Sequence, residues 1–272
     1  MQILQTIEEV HRVFNTSGSS PLLVTCDDFR DWVCKYDRAP KNLFNELLAA
    51  KFAKIWGINI PEVALINVKK EHVPFSKFSI QPNLFDKECF GSLYLESSKE
   101  VDHSLVHMFE DLNFREKLIN KDDFLKIALF DIWLANEDRN HNNFNLLVEI
   151  GQNKQSFLYA IDHVSIFNSS YLNYGISEIT EEDSIIKTKF AKILFNNNRY
   201  LVSLVDILVG NFYLCVDECF LRLDEILNLI PDSWGVDKLQ TKTSIVGNLF
   251  TESWKDNCIE NFRRFIQTFI IN

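Results

Sequence analysis

The hydrophobic pattern of this chain changes period at about residue 97, which restricts it to folds in which a strand-rich part precedes a helical one. Before that point, short apolar runs bounded by turn residues occupy 21–25, 32–36, 63–68 and 90–96. Each reads as a strand, and the first two, joined through a turn at 27–31, read as a hairpin. One helix interrupts them at 42–56, with Asn42 as N-cap and Gly57 as stop. Its core stripe is Leu43, Leu47, Leu48, Phe52, Ile55 and Trp56.

Beyond residue 97 the periodicity is helical, over 122–136, 190–194, 201–214, 220–229, 243–250 and 257–271. A strand pair at 144–150 and 157–161 breaks the series, turning at 151–155. The expected architecture is α+β: one domain with a strand-rich N-lobe over 1–97 and a mostly helical C-lobe over 98–272. With 272 residues, 46% of them hydrophobic, there is enough apolar side chain for such a core.

A net charge of −10 argues against a protein that grips nucleic-acid backbones directly. No apolar stretch reaches membrane-spanning length, because the longest, 203–220, contains Asp206, Asn211 and Asp217. The first residues, MQILQTIEEVHRVF, lack the pattern of a secretion signal. The six cysteines form no C-x-x-C pair, although Cys215 and Cys219 share a helix face. They read as reduced thiols, and the expected compartment is the cytoplasm.

Chemistry concentrates in 136–147, N-E-D-R-N-H-N-N-F-N-L-L. Asp138 and Asn143 stand five apart between an apolar helix and a strand. Phosphoryl transfer needs a carboxylate to orient the attacking hydroxyl and an amide oxygen nearby to hold magnesium, and this is the spacing kinase catalytic loops use. Asp162 closes a second apolar strand in A-I-D-H-V and suits a magnesium ligand. Upstream, Lys35 lies on an alternating strand and offers a compact charge for ATP phosphates. Glu46, on the following helix, is placed to hold that lysine. The N-T-S-G-S-S run at 15–20, with Ser17, Gly18 and Ser19, is placed to fold over phosphates.

The order of these parts resembles the HipA-like kinases, in their compact single-domain form. The resembling stretches are T-S-G-S-S-P with VTCDDF and WVCKY, NELLAAKFAKIWGINIPEVALI, CFGSLYLE, LFDIWLANEDRNHNNFNLLVE and LYAIDHVSIF. The D-R-x-x-x-N loop is also similar to that of phosphoinositide-kinase-like enzymes. The resemblance implies a two-lobed protein-kinase-like fold using ATP and magnesium, with a Ser/Thr protein substrate and an antitoxin-like protein partner. It makes Asp138 the catalytic aspartate, Asn143 and Asp162 the metal ligands, Lys35 the nucleotide lysine and Glu46 its partner. Strand 90–96 would lead into the hinge that holds adenine, with Leu95 and Glu96 the nearest backbone. Only Gly18 stands in the phosphate loop, which is poorer in glycine than the family's.

Other residues have plainer readings. His141 and His163 flank the site as structural hydrogen-bonders, and Arg139 is expected to pair with an acidic side chain. His103 and His107 share a helix face without a third ligand, so zinc is not expected. The acceptor is not fixed by sequence: a small-molecule or lipid kinase is the rival enzyme, and a pseudokinase or binding module is the rival outside enzymes.

Overall fold

The computed structural model describes residues 1–14, 20–38, 40–75, 80–151, 153–170, 172–196 and 199–272. Its first half is built on β1 (Ile3–Gln5), β2 (Arg12–Val13), β3 (Leu22–Thr25), β4 (Asp31–Lys35), helix α1 (Pro40–Ile55), β5 (Val63–Asn67) and β6 (Cys89–Leu93). Among the described residues these strands form one six-stranded sheet in the order β1-β5-β6-β4-β3-β2. All neighbours run antiparallel except β1 and β5.

Alternation along β4 fixes the faces of the sheet. Trp32 and Cys34 are fully buried with Leu22, Val24 and Cys89 in one cluster. Val33 and Lys35 face the other way and line the cleft described below. Gly91 sits opposite Cys34 and Ala64 in the central strand. A Cβ there would run into the Ile66 side chain, which already fills the space beside Gly91.

Helix α1 starts two residues earlier than its expected Asn42 cap, with Pro40 at its first position. Asn42 instead donates its side-chain amide to Asp37. The expected stop is observed. Gly57 has φ 63°, its N–H reaches Lys54 O and that of Ile58 reaches Ala53 O, the paired bonds of a Schellman ending.

The second half comprises β7 (Ser98–Glu100), α2 (His103–Met108), α3 (Leu112–Arg115), α4 (Asp123–Leu134), β8 (Leu146–Ile150), β9 (Ser156–Ala160), α5 (Lys189–Phe195), α6 (Leu201–Leu221), α7 (Leu223–Leu227), α8 (Lys238–Leu249) and α9 (Glu252–Ile266). Strands β7, β8 and β9 make a small antiparallel sheet. Helix α4 is the axis of this half: its Phe124, Leu125, Phe130, Trp133 and Leu134 are almost wholly buried. It is stitched to α9 by Trp254 Nε1, which donates to Trp133 O at 3.0 Å. Trp133 Nε1 in turn donates to Leu249 O at 3.0 Å.

The two halves share one large core. Trp56 at the end of α1 stacks on Trp133 at 5.4 Å and meets Phe130 and Phe212 edge-on. A second link lies at the start of β6, where Trp234 Nε1 donates to Glu88 O at 2.8 Å. No described helix is long and apolar enough to cross a membrane. All six cysteines are free thiols.

Candidate active site

Between the six-stranded sheet and the α4–β9 region lies a cleft of about 820 Å³. Part of its wall is the loop that follows α4. The helix closes with Ala135 at φ 49°, and the N–H of Asn136 returns to Asp131 O at 2.9 Å. A left-handed alanine costs energy where glycine would not, so this ending is held by its surroundings. The holding group is Asp131, a carboxylate only 2% exposed inside an otherwise apolar helix. It accepts from Asn136 Nδ2 at 2.8 Å and from Arg139 Nε at 2.8 Å.

Arg139 is fully buried. Its Nη1 donates to Ile161 O at 3.0 Å and to Asn145 O. One guanidinium therefore ties together the start of the 136–145 loop, its end, and the strand that leads to Asp162. Burial pushes the Asp131 carboxyl up, and Arg139 with Asn136 opposes the rise.

Asp138 projects from this braced loop. Its Oδ2 accepts from Asn143 Nδ2 at 2.9 Å and from Asn145 Nδ2 at 3.1 Å. With its nitrogen committed to Asp138, Asn143 keeps its Oδ1 as an acceptor. Asn145, at φ 47° and 5% exposed, was not singled out from the sequence. Its available signal was the N-x-N spacing after Asp138, since asparagine tolerates a left-handed backbone. Asp131 was missed too, and a lone carboxylate in F-L-K-I-A-L-F-D-I-W-L was the sign of it.

Asp162 follows β9 with φ 54°. Its Oδ1 lies 2.9 Å from Lys35 Nζ, and the same ammonium lies 2.5 Å from Glu46 Oε1. Glu46 Oε2 accepts from the backbone N–H of His163 at 3.1 Å. Burial pushes the Glu46 carboxyl up to about 7, with Lys35 opposing that rise. Burial also works against the charge on Asp162, but Lys35 outweighs it and holds the carboxyl down to about 2. The lysine itself is raised: burial disfavours its charge, and Asp162 and Glu46 together overcome that. For His163, burial and the neighbouring Arg139 push the imidazole well below its usual range, so it stays neutral.

The cleft thus brings Lys35, Glu46, Asp138, Asn143 and Asp162 to one wall system. Leu95 lines it as well. Glu96 lies beside it, in a smaller hollow with Arg30, Asp31, Leu93 and Tyr94. Strand β6 ends at Leu93, so Leu95 and Glu96 stand past the strand rather than in it. Ser17, Gly18 and Ser19 lie outside the described residues. Among the described residues, no three of His, Cys, Asp and Glu gather into a metal cluster. The donor set of one carboxylate and one amide oxygen suits a hard cation that takes its remaining ligands from phosphates and water.

Against solved structures, the chain is similar to the proinflammatory kinase CtkA of Helicobacter pylori, with 14% identity, 96% of this chain and 97% of that one covered, and a TM-score of 0.56. It also matches HipA in the HipA–HipB–operator DNA complex of a Shewanella oneidensis MR-1 toxin–antitoxin system, at 12% identity over 94% of this chain and 63% of that one, with a TM-score of 0.45. The Rio2 kinase of Chaetomium thermophilum, solved as an ADP/Mg2+–phosphoaspartate complex, matches at 12% identity over 97% and 72%, with a TM-score of 0.37. No curated protein sequence matches. The mixed α/β fold is a kinase-like one, and the protein is of the phosphotransferase class. A family model described as HipA-like kinase covers residues 7–264, and the chain belongs to that family.

Proposed function

We propose that the protein is an ATP- and magnesium-dependent kinase that phosphorylates Ser or Thr hydroxyls of a protein substrate. The observation that carries this reading is the meeting of the Lys35–Asp162 ion pair, 2.9 Å long, with Asp138 and Asn143 in one cleft. The reading treats 1–272 as a single kinase domain, with lobes over 1–97 and 98–272. Strand β7, which starts at Ser98 and pairs with β8, supports the boundary.

In this reading the nucleotide lies between the lobes. Lys35 holds the α- and β-phosphates, and Glu46 holds Lys35. Apolar side chains of Val33, Val63, Leu93, Leu95 and Leu147 line the cleft and suit the faces of adenine. The backbone of Leu95 and Glu96 supplies its edge contacts. Ser17, Gly18 and Ser19 cover the phosphates. Asp162 and Asn143 Oδ1 are the magnesium ligands. Magnesium, when bound, supplies charge neutralisation on the phosphate oxygens.

Asp138 orients the acceptor. Its Oδ2 is fixed by two amide donors, so a substrate hydroxyl meets a carboxylate of set direction. The hydroxyl oxygen forms a bond to the γ-phosphorus and the bridging bond to the β-phosphate breaks. ADP departs, and Asp138 takes the hydroxyl proton. The acceleration comes from positioning and electrostatics more than from covalent chemistry.

The partner in this reading is an antitoxin-like protein, the compartment is the cytoplasm, and nucleic acid is not bound directly. Incubation with γ-labelled ATP and magnesium in the presence of proteins, inositides or sugars tests the acceptor class. Label on serine or threonine supports the reading, and label confined to inositides or sugars replaces it.

A further inference from the structure

One side of helix α1 carries three polar residues that all reach the same short stretch of backbone. Lys41 Nζ donates to Ser169 O at 2.7 Å. Asn45 Nδ2 donates to Val164 O at 2.8 Å. Glu46 Oε2 accepts from His163 N at 3.1 Å. Spaced i, i+4 and i+5, they lie along one side of the helix. Their partners all fall within residues 163–169, directly after Asp162.

That stretch is held in an unusual shape. Asp162, Phe167, Asn168 and Ser169 have φ of 54°, 62°, 52° and 53°. None is glycine, and left-handed backbone at four such positions persists only where the surroundings impose it. From the other side the stretch is held by α4: Phe167 N–H donates to Leu134 O at 2.8 Å and Asn168 N–H to Ala135 O at 2.9 Å. Asn45 is only 1% exposed, so its amide has no water to turn to and its direction is fixed by the Val164 carbonyl.

We propose that Asn45 and Lys41 are positioning residues that clamp the 162–169 backbone to α1 and thereby set where Asp162 presents its carboxylate to the cation. This deepens the reading of the site as an ATP- and magnesium-dependent kinase and rests on it. Neither residue lines the cleft. Glu46 serves both ends, holding Lys35 with one oxygen and the clamped backbone with the other. Groups that orient a metal ligand change metal affinity when removed, even though the ligand itself stays.

The test is Asn45→Leu, which keeps the branched shape of the side chain and removes the donor, alongside Lys41→Met at the more exposed end of the same clamp. Two readouts are taken on the full chain: the magnesium concentration giving half-maximal phosphate transfer, and hydrogen–deuterium exchange of residues 162–169 in metal-free protein. For Asn45→Leu the expected result is a rise in the magnesium requirement of about ten- to a hundredfold. Exchange should quicken over 162–169 while that of 43–55 stays at the wild-type rate. Lys41→Met should move both readouts in the same direction by less.

A magnesium requirement and exchange rate at wild-type values in both variants overturn the clamp, as does exchange that quickens equally over α1. Should Asn45→Leu fail to fold, Lys41→Met decides by the same readouts. If wild-type protein transfers no phosphate, the kinase reading fails separately. The exchange measurement then decides the clamp, with unchanged rates over 162–169 overturning it.

Discussion

The side chains of Arg139 and Asp131 meet at 2.8 Å with 0% and 2% of their surfaces exposed, and the 136–145 loop is built around that contact. A buried ion pair costs desolvation on both sides, and its benefit depends on every remaining donor and acceptor being used. Here Asp131 also serves Asn136, and Arg139 Nη1 also serves the carbonyls of Asn145 and Ile161, while the buried Nη2 is left without a partner among the described residues. The pair is therefore a brace between α4, the loop and β9.

Removing one member leaves the other charge buried without compensation. Arg139→Met is expected to lower unfolding free energy by about 3–5 kcal/mol. Urea titration measures this directly. A loss below about 1 kcal/mol, the scale of a surface pair, would refute the brace.

Asp138→Asn keeps the size of the side chain but sets an amide where the acceptor proton must go. Phosphate transfer is expected to fall by about 10²–10⁴-fold, with the melting temperature close to that of wild type. Asp162→Asn should reduce transfer at least as strongly, because it removes the carboxylate from the cation and from Lys35 together. Transfer at the wild-type rate in both variants would defeat the site assignment.

Glu46→Gln separates holding from chemistry. The amide can still meet His163 N–H through its oxygen, but the negative charge beside Lys35 is lost. The lysine keeps Asp162 as its one close carboxylate and becomes less fixed toward phosphates. Steady-state kinetics should show kcat/KM for ATP reduced by about tenfold, or about 1.4 kcal/mol. Unchanged kinetics would mean that Asp162 alone positions Lys35.

Gly91→Ala tests the sheet behind the site. The new methyl would meet Ile66 Cδ1 at 2.3 Å and Cγ1 at 2.8 Å, inside a fully buried cluster. Overpacking of this kind costs about 1–3 kcal/mol. Adding Ile66→Val, which removes the clashing Cδ1, should recover part of the loss in a thermal melt. A double variant no more stable than Gly91→Ala would place the strain elsewhere.

Several elements were legible because their local chemistry agrees with their tertiary role. The Gly57 ending of α1 and the β8–β9 strand pair stand within two residues of expectation. Strand β1 was not legible, since three residues pairing in parallel with β5 leave no local pattern. Helices α8 and α9 begin five residues earlier than their apolar periodicity suggests. Their first turns are polar, and the true signals were the caps: Asp237, which accepts from Leu239 and Gln240 N–H, and Thr251, which accepts from Trp254 N–H. Helix α6 runs on to Leu221, seven residues past the expected end at Leu214, and the helix expected over 220–229 is confined to Leu223–Leu227. At the site, residue types and order showed which groups gather. They did not show what braces them: Asp131 acts through Arg139 and Asn136, Asn145 through the Asp138 carboxylate and Asn45 through the Val164 carbonyl, contacts that only the folded chain brings together.

The Trp234–Glu88 bond fastens the residue before β6 to the helical half, and neither partner lines the cleft. Together with the stacking of Trp56 on Trp133, it joins the two halves through residues that do not line the cleft. A switch that silences this protein by swinging α1 outward would have to open the aromatic core that Trp56 shares with Phe130, Trp133 and Phe212. Control is cheaper at the mouth, by what enters or blocks the opening, than at the spine.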